Sequence, residues 1–417
     1  MRIAIYNSLY PPLGIGGAER SVQFLAEALV LKGHDVLVVS QGSSWTAVRE
    51  VINGVTVVRL GSPPGFAPNT HDQDSVSRRA LRVLFKKWKP QRAREAIREV
   101  TKFRADIAHS NAVSDLHDFW VGMERLGVPT VHTLRNPSLM CLRRMFAEGE
   151  PCASQCTGCR EETTKRRKGT EKLSGVVGIS DFILQAHLNN GYFHSLVLRR
   201  VIPNSYAAPS IVRVSREEGS PIRLGYLGRI HETKGVEVLV AAMRKFVGRA
   251  HLVVAGTGNP NFVDRLKATA GTNVEFVGFV QPANILKSVD ALVVPSLWNE
   301  PFGRVYAEAM VHGVPVLGSV HGAGSELVFE GRTGWLCDPG DPTALNGALE
   351  RCIAAIKLHA EELQQNCLLQ AERYSPSVVA SQYESFFREA IENHGRRAAE
   401  TLDLKTALPL LPEGRPA

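Results

Sequence analysis

Two carboxylates, Glu300 and Glu308, stand with seven residues between them in the run Asn299-Glu300-Pro301-Phe302-Gly303-Arg304-Val305-Tyr306-Ala307-Glu308-Ala309-Met310. The apolar residues 293–294 before them read as the end of a buried strand, and 305–312 carries the apolar spacing of a helix. The acids therefore bracket a strand-to-helix turn, and one in the turn and one two turns along the helix can both face a ligand across the helix start. Backbone N–H groups of Phe302 and Gly303 at that start favour an anion. The plainer alternative is a helix-start acid followed by a solvated helix residue. Upstream, the strand at 222–228 delivers Arg229 and Lys234 beside another helix start, a cationic pair suited to neutralising a diphosphate. Near the N-terminus, the strand at 3–6 runs into Gly16-Gly17-Ala18-Glu19-Arg20, a glycine turn whose backbone can approach a phosphate closely. His132 ends a further strand, a position that places it towards a cleft but that ordinary structural histidines also occupy.

The elements that must position these groups alternate strand and helix along the chain. Strands read at 36–40, 55–60, 106–109, 130–133, 175–179 and 197–202, with helices at 75–102, 113–126 and 180–190. After residues 206–221, a Pro/Ser-rich charged linker, a second series begins with strands at 222–228, 251–255, 274–277, 291–294, 314–317 and 334–336. From 342 the chain reads as helix through 345–356, 361–373 and 377–393, the last bearing a stripe of Val378, Val379, Tyr383, Phe386, Phe387 and Ile391. Such alternation predicts parallel sheets covered on both faces, with ligands beyond the carboxyl ends of the strands. The strand at 36–40 ends without the acid that holds a ribose in a dinucleotide fingerprint, which counts against a nicotinamide site.

Composition bounds the rest. At 417 residues the chain exceeds the usual size of one hydrophobic core, so two domains are expected. The boundaries read as 1–205, 222–373, a bracing helix over 374–394 and a mobile tail over 395–417. No long uninterrupted apolar run appears and the start reads as a strand, which predicts a cytoplasmic protein. The net charge of +8 is carried by the first half. Within 78–104, Arg78, Arg79, Arg82, Lys86, Lys87, Lys89, Arg92, Arg94, Arg98, Lys102 and Arg104 face only Glu95 and Glu99. Interleaved Leu81, Val83, Leu84, Phe85 and Trp88 make this a basic amphipathic helix, either docked on an anionic membrane surface as a peripheral anchor or simply solvated over a core stripe. Nothing nearby resembles a nucleic-acid-binding module, so no nucleic-acid partner is expected.

Between 134 and 172 the alternation breaks into a polar insertion holding Cys141, Cys152, Cys156 and Cys159. Four thiolates suffice for a tetrahedral structural zinc or another thiolate-bound metal, and free thiols in an acceptor-side loop are the alternative. Seven cysteines in all, an odd number, fit a reducing compartment.

Gly16-Gly17-Ala18-Glu19-Arg20, Gly228-Arg229 with Lys234-Gly235, and Glu300-Pro301-Phe302-Gly303 with Glu308-Ala309, followed by Gly313-Val314-Pro315-Val316, together resemble the retaining family-4 glycosyltransferases of GT-B fold, with the E-x7-E signature as the most specific part. The resemblance covers nearly the whole chain. It implies an α/β architecture of two Rossmann-like domains facing across a deep cleft, braced by C-terminal helices, with a nucleotide-sugar donor held by the second domain and a glycan or lipid-linked acceptor by the first. By that resemblance Arg229 and Lys234 bind the donor diphosphate with Gly16 or Gly17, and Glu308 holds the ribose. Glu300 reads the transferred sugar, with the backbones of Phe302 and Gly303 nearby and Val305 in the same helix turn. His132 lies beside the sugar, and Val277, Gly278, Phe279 and Val280 edge the base. It implies retention of configuration with no cofactor required for catalysis. Same-fold alternatives are a nucleotide-sugar epimerase, a glycan phosphorylase, which lacks a recognisable cofactor-lysine motif here, and a catalytically silent nucleotide-sugar-binding protein. The cysteine insertion departs from the shorter connection expected after His132, so acceptor analogies do not transfer.

Overall fold

The computed structural model describes residues 1–13, 16–62, 89–111, 116–141, 145–147, 150–152, 154–196, 198–207, 217 and 219–407. The expected elements at 75–88 and 113–115, and most of the 206–221 linker, lie outside these residues.

The first sheet is built from β1 (Arg2–Tyr6), β2 (Asp35–Gln41), β3 (Val48–Ile52), β4 (Val55–Leu60), β5 (Ile107–Ser110) and β6 (Thr130–Leu134). After a two-stranded hairpin of β7 (Phe146–Ala147) and β8 (Glu150–Pro151), β9 (Gly175–Gly178) and β10 (Arg199–Val201) complete it, in the order β10-β9-β6-β5-β1-β2-β4-β3. Its strands run parallel except β3, which pairs antiparallel with β4. The central strands are β-branched and buried along their length because helices cover both faces. The β3–β4 hairpin turns through Asn53 (φ 50) and Gly54 (φ 81), the paired positive φ values of a tight two-residue turn.

The second sheet holds β11 (Ile222–Leu227), β12 (Ala250–Ala255), β13 (Val274–Gly278), β14 (Ala291–Val294), β15 (Val316–Ser319) and β16 (Gly334–Cys337). It is parallel throughout, in the order β13-β12-β11-β14-β15-β16. The chain therefore contains two Rossmann-like domains of the GT-B type. The strand order reverses beside β11 and β14, so their carboxyl ends open the crevice where such sheets bind ligands.

A helix over Pro342–Ala371, broken at His359 (φ −135, ψ 30), leads to the final helix Pro376–Ala407. That helix returns to the first domain, where Val379, Tyr383, Phe386 and Phe387 share a core with Ile3, Ile5, Leu25 and Val177. Tyr383 Oη also bonds Thr133 Oγ1 at 3.0 Å. The helix passes His394 and continues to Ala407, so residues 395–407 are helical rather than the mobile tail expected, in keeping with their Ala, Glu, Leu and Lys content. The 134–172 insertion likewise has elements of its own, among them helices Thr157–Glu162 and Thr164–Gly169. The Gln155 amide ties it together, donating to Met140 O at 2.6 Å and Thr163 Oγ1 at 2.9 Å.

The described part of the basic segment is the helix Lys89–Phe103. Ala93, Ala96 and Val100 bury one face, while Glu99 on the other pairs with Arg49 at 2.7 Å and Lys102 at 2.8 Å. Among the described residues no helix is long and apolar enough to cross a membrane.

Candidate active site

The turn after β14 carries Glu300 into the cleft, and three neighbours hold it there. Its carboxylate pairs with the Lys234 ammonium and accepts from Ser296 Oγ at 3.3 Å, while its carbonyl accepts the Ala323 N–H at 2.9 Å. Only 8% of Glu300 is exposed. Lys234 ends a short helical turn, Glu232–Lys234, and its Nζ lies 4.9 Å over the Trp298 ring. Gly235 follows with φ 65, and a β-carbon there would meet the Pro295 carbonyl oxygen at 1.8 Å. Only glycine lets this loop pass so close under β14. Lys234 and Glu300, read from sequence as parts of separate subsites, thus form one ion pair.

Arg229 sits at the mouth of the same loop. Its carbonyl accepts from Tyr226 Oη at 2.7 Å, and its guanidinium has no hydrogen bond or ion pair among the described residues. Neighbouring strand ends are laced to it: Gly228 N–H donates to Ala255 O, Ile230 N–H to Thr257 O, and Gly256 N–H to Gly278 O. This row brings Val277 and Phe279, 37% and 73% exposed, to the open edge of the second domain, with Gly278 between them at φ 70. Val280 is half-buried against the core.

Gly303, at φ 71, caps the helix Arg304–Val311, which holds Glu308. A β-carbon on Gly303 would lie 2.6 Å from Tyr306, whose hydroxyl in turn accepts the Ser319 N–H at 3.1 Å. The Phe302 side chain is buried, stacked on Tyr206 at 6.4 Å and edge-on to Tyr374 at 5.9 Å. Only its backbone is therefore available to a ligand, and Val305 likewise packs against the core. Glu308 does not stand alone: Arg304, one turn earlier, donates to it at 2.5 Å.

Arg304 also joins the two domains. Its guanidinium lies 5.4 Å over the Tyr206 ring, and its Cδ would be 2.2 Å from a β-carbon on Gly17. Gly17, at the start of the helix Gly17–Leu31, thus faces the Arg304–Glu308 pair directly, whereas a β-carbon on Gly16 would meet Glu19 Oε2 at 2.2 Å. Tyr206 belongs to this floor, its N–H bonded to Tyr374 O at 2.8 Å, and not to a free linker. Neither Arg304 nor Tyr206 was nominated from sequence, although the i,i+4 spacing of Arg304 and Glu308 carries the signal.

His132 on β6 is buried, with Nδ1 2.9 Å from Ser110 Oγ and its ring edge-on to Trp120 at 5.2 Å. Trp120 Nε1 donates to the same hydroxyl at 2.8 Å. Burial, with the nearby His187 and Arg135, pushes the His132 pKa down to about 3, so the ring is neutral at physiological pH. It can position a hydroxyl but does not arrive as a cation.

In the insertion, Cys159 Sγ lies 3.3 Å from Cys141 Sγ. Cys159 neighbours Cys156 as well as Cys141, while among the described residues no group of three or more His, Cys, Asp or Glu is arranged as a metal site. Cys156 is exposed at the start of the helix Thr157–Glu162, whereas Cys141 is buried under it.

Two facing Rossmann-like sheets with cations, acids and glycine turns at their carboxyl ends define a GT-B glycosyltransferase. Residues 221–355 match the family model for glycosyl transferases group 1, and residues 15–151 match that for glycosyltransferase family 4. The chain belongs to the family-4 glycosyltransferases. It is 28% identical over 333 residues to an uncharacterised 42.6 kDa protein in the cps region of Klebsiella pneumoniae, covering 78% of this chain and 87% of that one. It is 29% identical over 287 residues to the phosphatidyl-myo-inositol mannosyltransferase of Mycobacterium tuberculosis, covering 63% of this chain and 74% of that one. The structure of Anabaena HepE in complex with UDP superposes with a TM-score of 0.68 at 17% identity, covering 92% of this chain and 99% of that one. Sucrose-phosphate synthase of Thermosynechococcus elongatus gives a TM-score of 0.71 at 21% identity, covering 93% and 98%.

Proposed function

We propose that the protein is a retaining hexosyltransferase that moves a sugar from a UDP- or GDP-sugar to a hydroxyl of a glycan or lipid-linked glycan, in the assembly of a cell-envelope or exported polysaccharide. The observation that carries this reading is the Lys234–Glu300 pair at the carboxyl ends of the second sheet, with Arg229 unpaired among the described residues and Gly17 of the first domain set against the Arg304–Glu308 pair. Departure of a nucleoside diphosphate builds charge on its β-phosphate, and fixed cations there favour the transition state over the ground state. Arg229 and Lys234 receive the diphosphate, and Glu308 the ribose hydroxyls. Glu300, held by Lys234 and Ser296, reads the hydroxyls of the transferred sugar.

Retention follows from attack on the face that the diphosphate leaves, the acceptor hydroxyl passing its proton to the departing phosphate. The anomeric C–O bond to phosphate breaks, and the one to the acceptor oxygen forms. Support for a nucleotide donor comes from the UDP complex of HepE, and for an envelope setting from the cps-region relative. We assign no catalytic cofactor. The protein is cytoplasmic in this reading, with the 78–104 segment resting on the anionic inner membrane face.

Incubation with radiolabelled UDP- and GDP-sugars tests the proposal: one donor should be slowly hydrolysed without acceptor and consumed faster with a glycan acceptor, activity persisting in EDTA. Product of inverted anomeric configuration by NMR would refute retention. Binding of donors with neither hydrolysis nor transfer would show a silent binding protein.

A further inference from the structure

Arg135 follows β6 directly and lies three positions beyond His132. Its Nε donates to Asn111 Oδ1 at 2.8 Å, and its Nη1 to Asn204 Oδ1 at 2.5 Å. The two asparagines come from the chain just past β5 and just past β10, so the guanidinium is gripped on two sides at the carboxyl edge of the first sheet. Both grips are neutral. Arg135 has no ion pair among the described residues, and its Nη2 makes no hydrogen bond there.

Asn111 repeats the pattern. It is fully buried, and because its oxygen is turned to Arg135 its Nδ2, two bonds away, is left as a buried donor with no acceptor. Arg135 is half-buried with only neutral side-chain partners, and the buried Asn111 amide donor has none, a cost that an anion outside the described chain would relieve. The surroundings fix where that anion lies. Arg135 has Tyr383 of the last helix, Tyr206 and Glu19 as its charged or titratable neighbours, which set it between that helix and the cleft floor formed by Tyr206 and Arg304, near the start of the glycine-turn helix. Desolvation lowers the pKa of Arg135, and Tyr383, Tyr206 and Glu19 offset it only in part.

We infer that Arg135 Nη2 and Asn111 Nδ2 form an anion-binding point on the first domain, taking a phosphate or carboxylate oxygen of the ligand that fills the cleft. The site lies opposite the Arg229–Lys234 group and does not share a residue with it. Its ligand is phosphate-like chemistry from one of two sources, the donor's diphosphate or an acidic group on the acceptor. The inference rests on the transferase reading only for naming those sources.

The test uses the full-length protein and isothermal titration calorimetry with UDP, GDP, glucose 1-phosphate and uridine, the last as the uncharged control. Arg135→Gln should weaken binding of at least one anionic probe by about tenfold or more, the worth of a charge-assisted hydrogen bond, and leave uridine within about twofold. Arg135→Lys should recover part of the loss. Asn111→Asp keeps the acceptor for Arg135 but exchanges the free donor for a negative charge, and should reproduce the same anion-selective loss in a chain whose fold is retained by circular dichroism. Loss confined to the nucleoside diphosphates assigns the point to the donor, and loss confined to glucose 1-phosphate assigns it to the acceptor side. Wild-type binding of glucose 1-phosphate through Arg135 with no nucleoside diphosphate bound would keep this site and overturn the transferase reading instead. Affinities unchanged within twofold in Arg135→Gln and Asn111→Asp, equal losses for uridine and the anions, or no anionic probe bound by the wild type, would overturn the inference.

Discussion

The Glu326 carboxylate, in the second domain, accepts the backbone N–H of Asp181 in the first at 2.7 Å, and that of Phe182 at the same distance. These are the first two donors of the helix Asp181–Asn189, which have no partner inside the helix itself. Ser180 caps the next one, accepting from Ile183 N at 3.2 Å, while its own proton goes to Pro301 O beside Glu300. A helix of one domain is thus completed by an acid of the other, one residue pair from the site. Glu326→Ala should cost about 1–2 kcal/mol of stability, the range for a lost helix cap. Hydrogen exchange of the amides at 181–183 should speed up selectively. Unchanged exchange there would show that water caps the helix equally well.

The alternation of apolar runs with helical periods was sufficient to read two parallel sheets, since buried strands such as β2 and β14 advertise themselves as continuous apolar runs. Strand β3 was not legible that way. Val48 and Val51 are exposed at 45% and 69% and flank the adjacent charges Arg49 and Glu50, with no clean apolar alternation, and only the Asn53-Gly54 turn betrays the hairpin. Within the site, Arg229, Lys234 and Glu300 were nominated because each follows a strand end or opens a helix, and Glu308 because its spacing from Glu300 sets it on the helix that follows. Their pairing was not, because Lys234–Glu300 joins loops after β11 and β14 that become neighbours only through the sheet order. Tyr206 and Arg135 escaped for the same reason: each is a single side chain whose partners arrive from elements far away in sequence.

Gly17 and Arg304 should behave as a coupled pair. A methyl group at Gly17 would sit 2.2 Å from Arg304 Cδ, so Gly17→Ala must displace the arginine from Glu308 and Tyr206. Gly17→Ala is expected to weaken donor binding several-fold, while in an Arg304→Ala background the same change should do little. A double-mutant cycle on donor affinity should give a coupling of about 1–2 kcal/mol. Additive effects would show that the glycine serves its own backbone and not the arginine.

Buried histidines set an acid limit on the fold. Burial lowers the pKa of His132 to about 3 and of His187 to about 4, and holds His109 well below its ordinary value. The folded chain refuses protons that the unfolded chain binds below about pH 6.5, so the stability present above that pH is lost as the pH falls. The loss approaches about 1.4 kcal/mol per pH unit for each histidine, and continues until the folded values are reached. Urea midpoints measured from pH 7.5 to 5, a range above most carboxylate titration, should fall steadily with acid. Burial lowers the pKa of His34 as well, so His187→Gln should flatten that slope by about a quarter. A flat profile between pH 6.5 and 5 would mean that these rings are protonated in the native state.

Glu300 and Glu308 differ in what their cations leave free. Arg304 holds Glu308 from within the same helix, so Glu308→Ala releases an exposed-edge contact and should raise the dissociation constant for the donor by about tenfold, through loss of one charged hydrogen-bond acceptor for the ribose. Glu300 is buried against Lys234 and Ser296, and its removal frees the ammonium to which the proposed function assigns the diphosphate. Glu300→Gln keeps the shape and the acceptor oxygen but not the charge, and it should slow turnover by roughly a hundredfold while donor affinity changes little, the pattern of an interaction made in the transition state. Lys234→Ala should do both, because it strips the cation proposed for the phosphate and leaves the Glu300 carboxylate buried without a counter-charge. Steady-state kinetics with the active donor, paired with calorimetric donor titration, separates the three. If Glu308→Ala slows transfer while Glu300→Gln chiefly weakens binding, the roles of the two acids are exchanged.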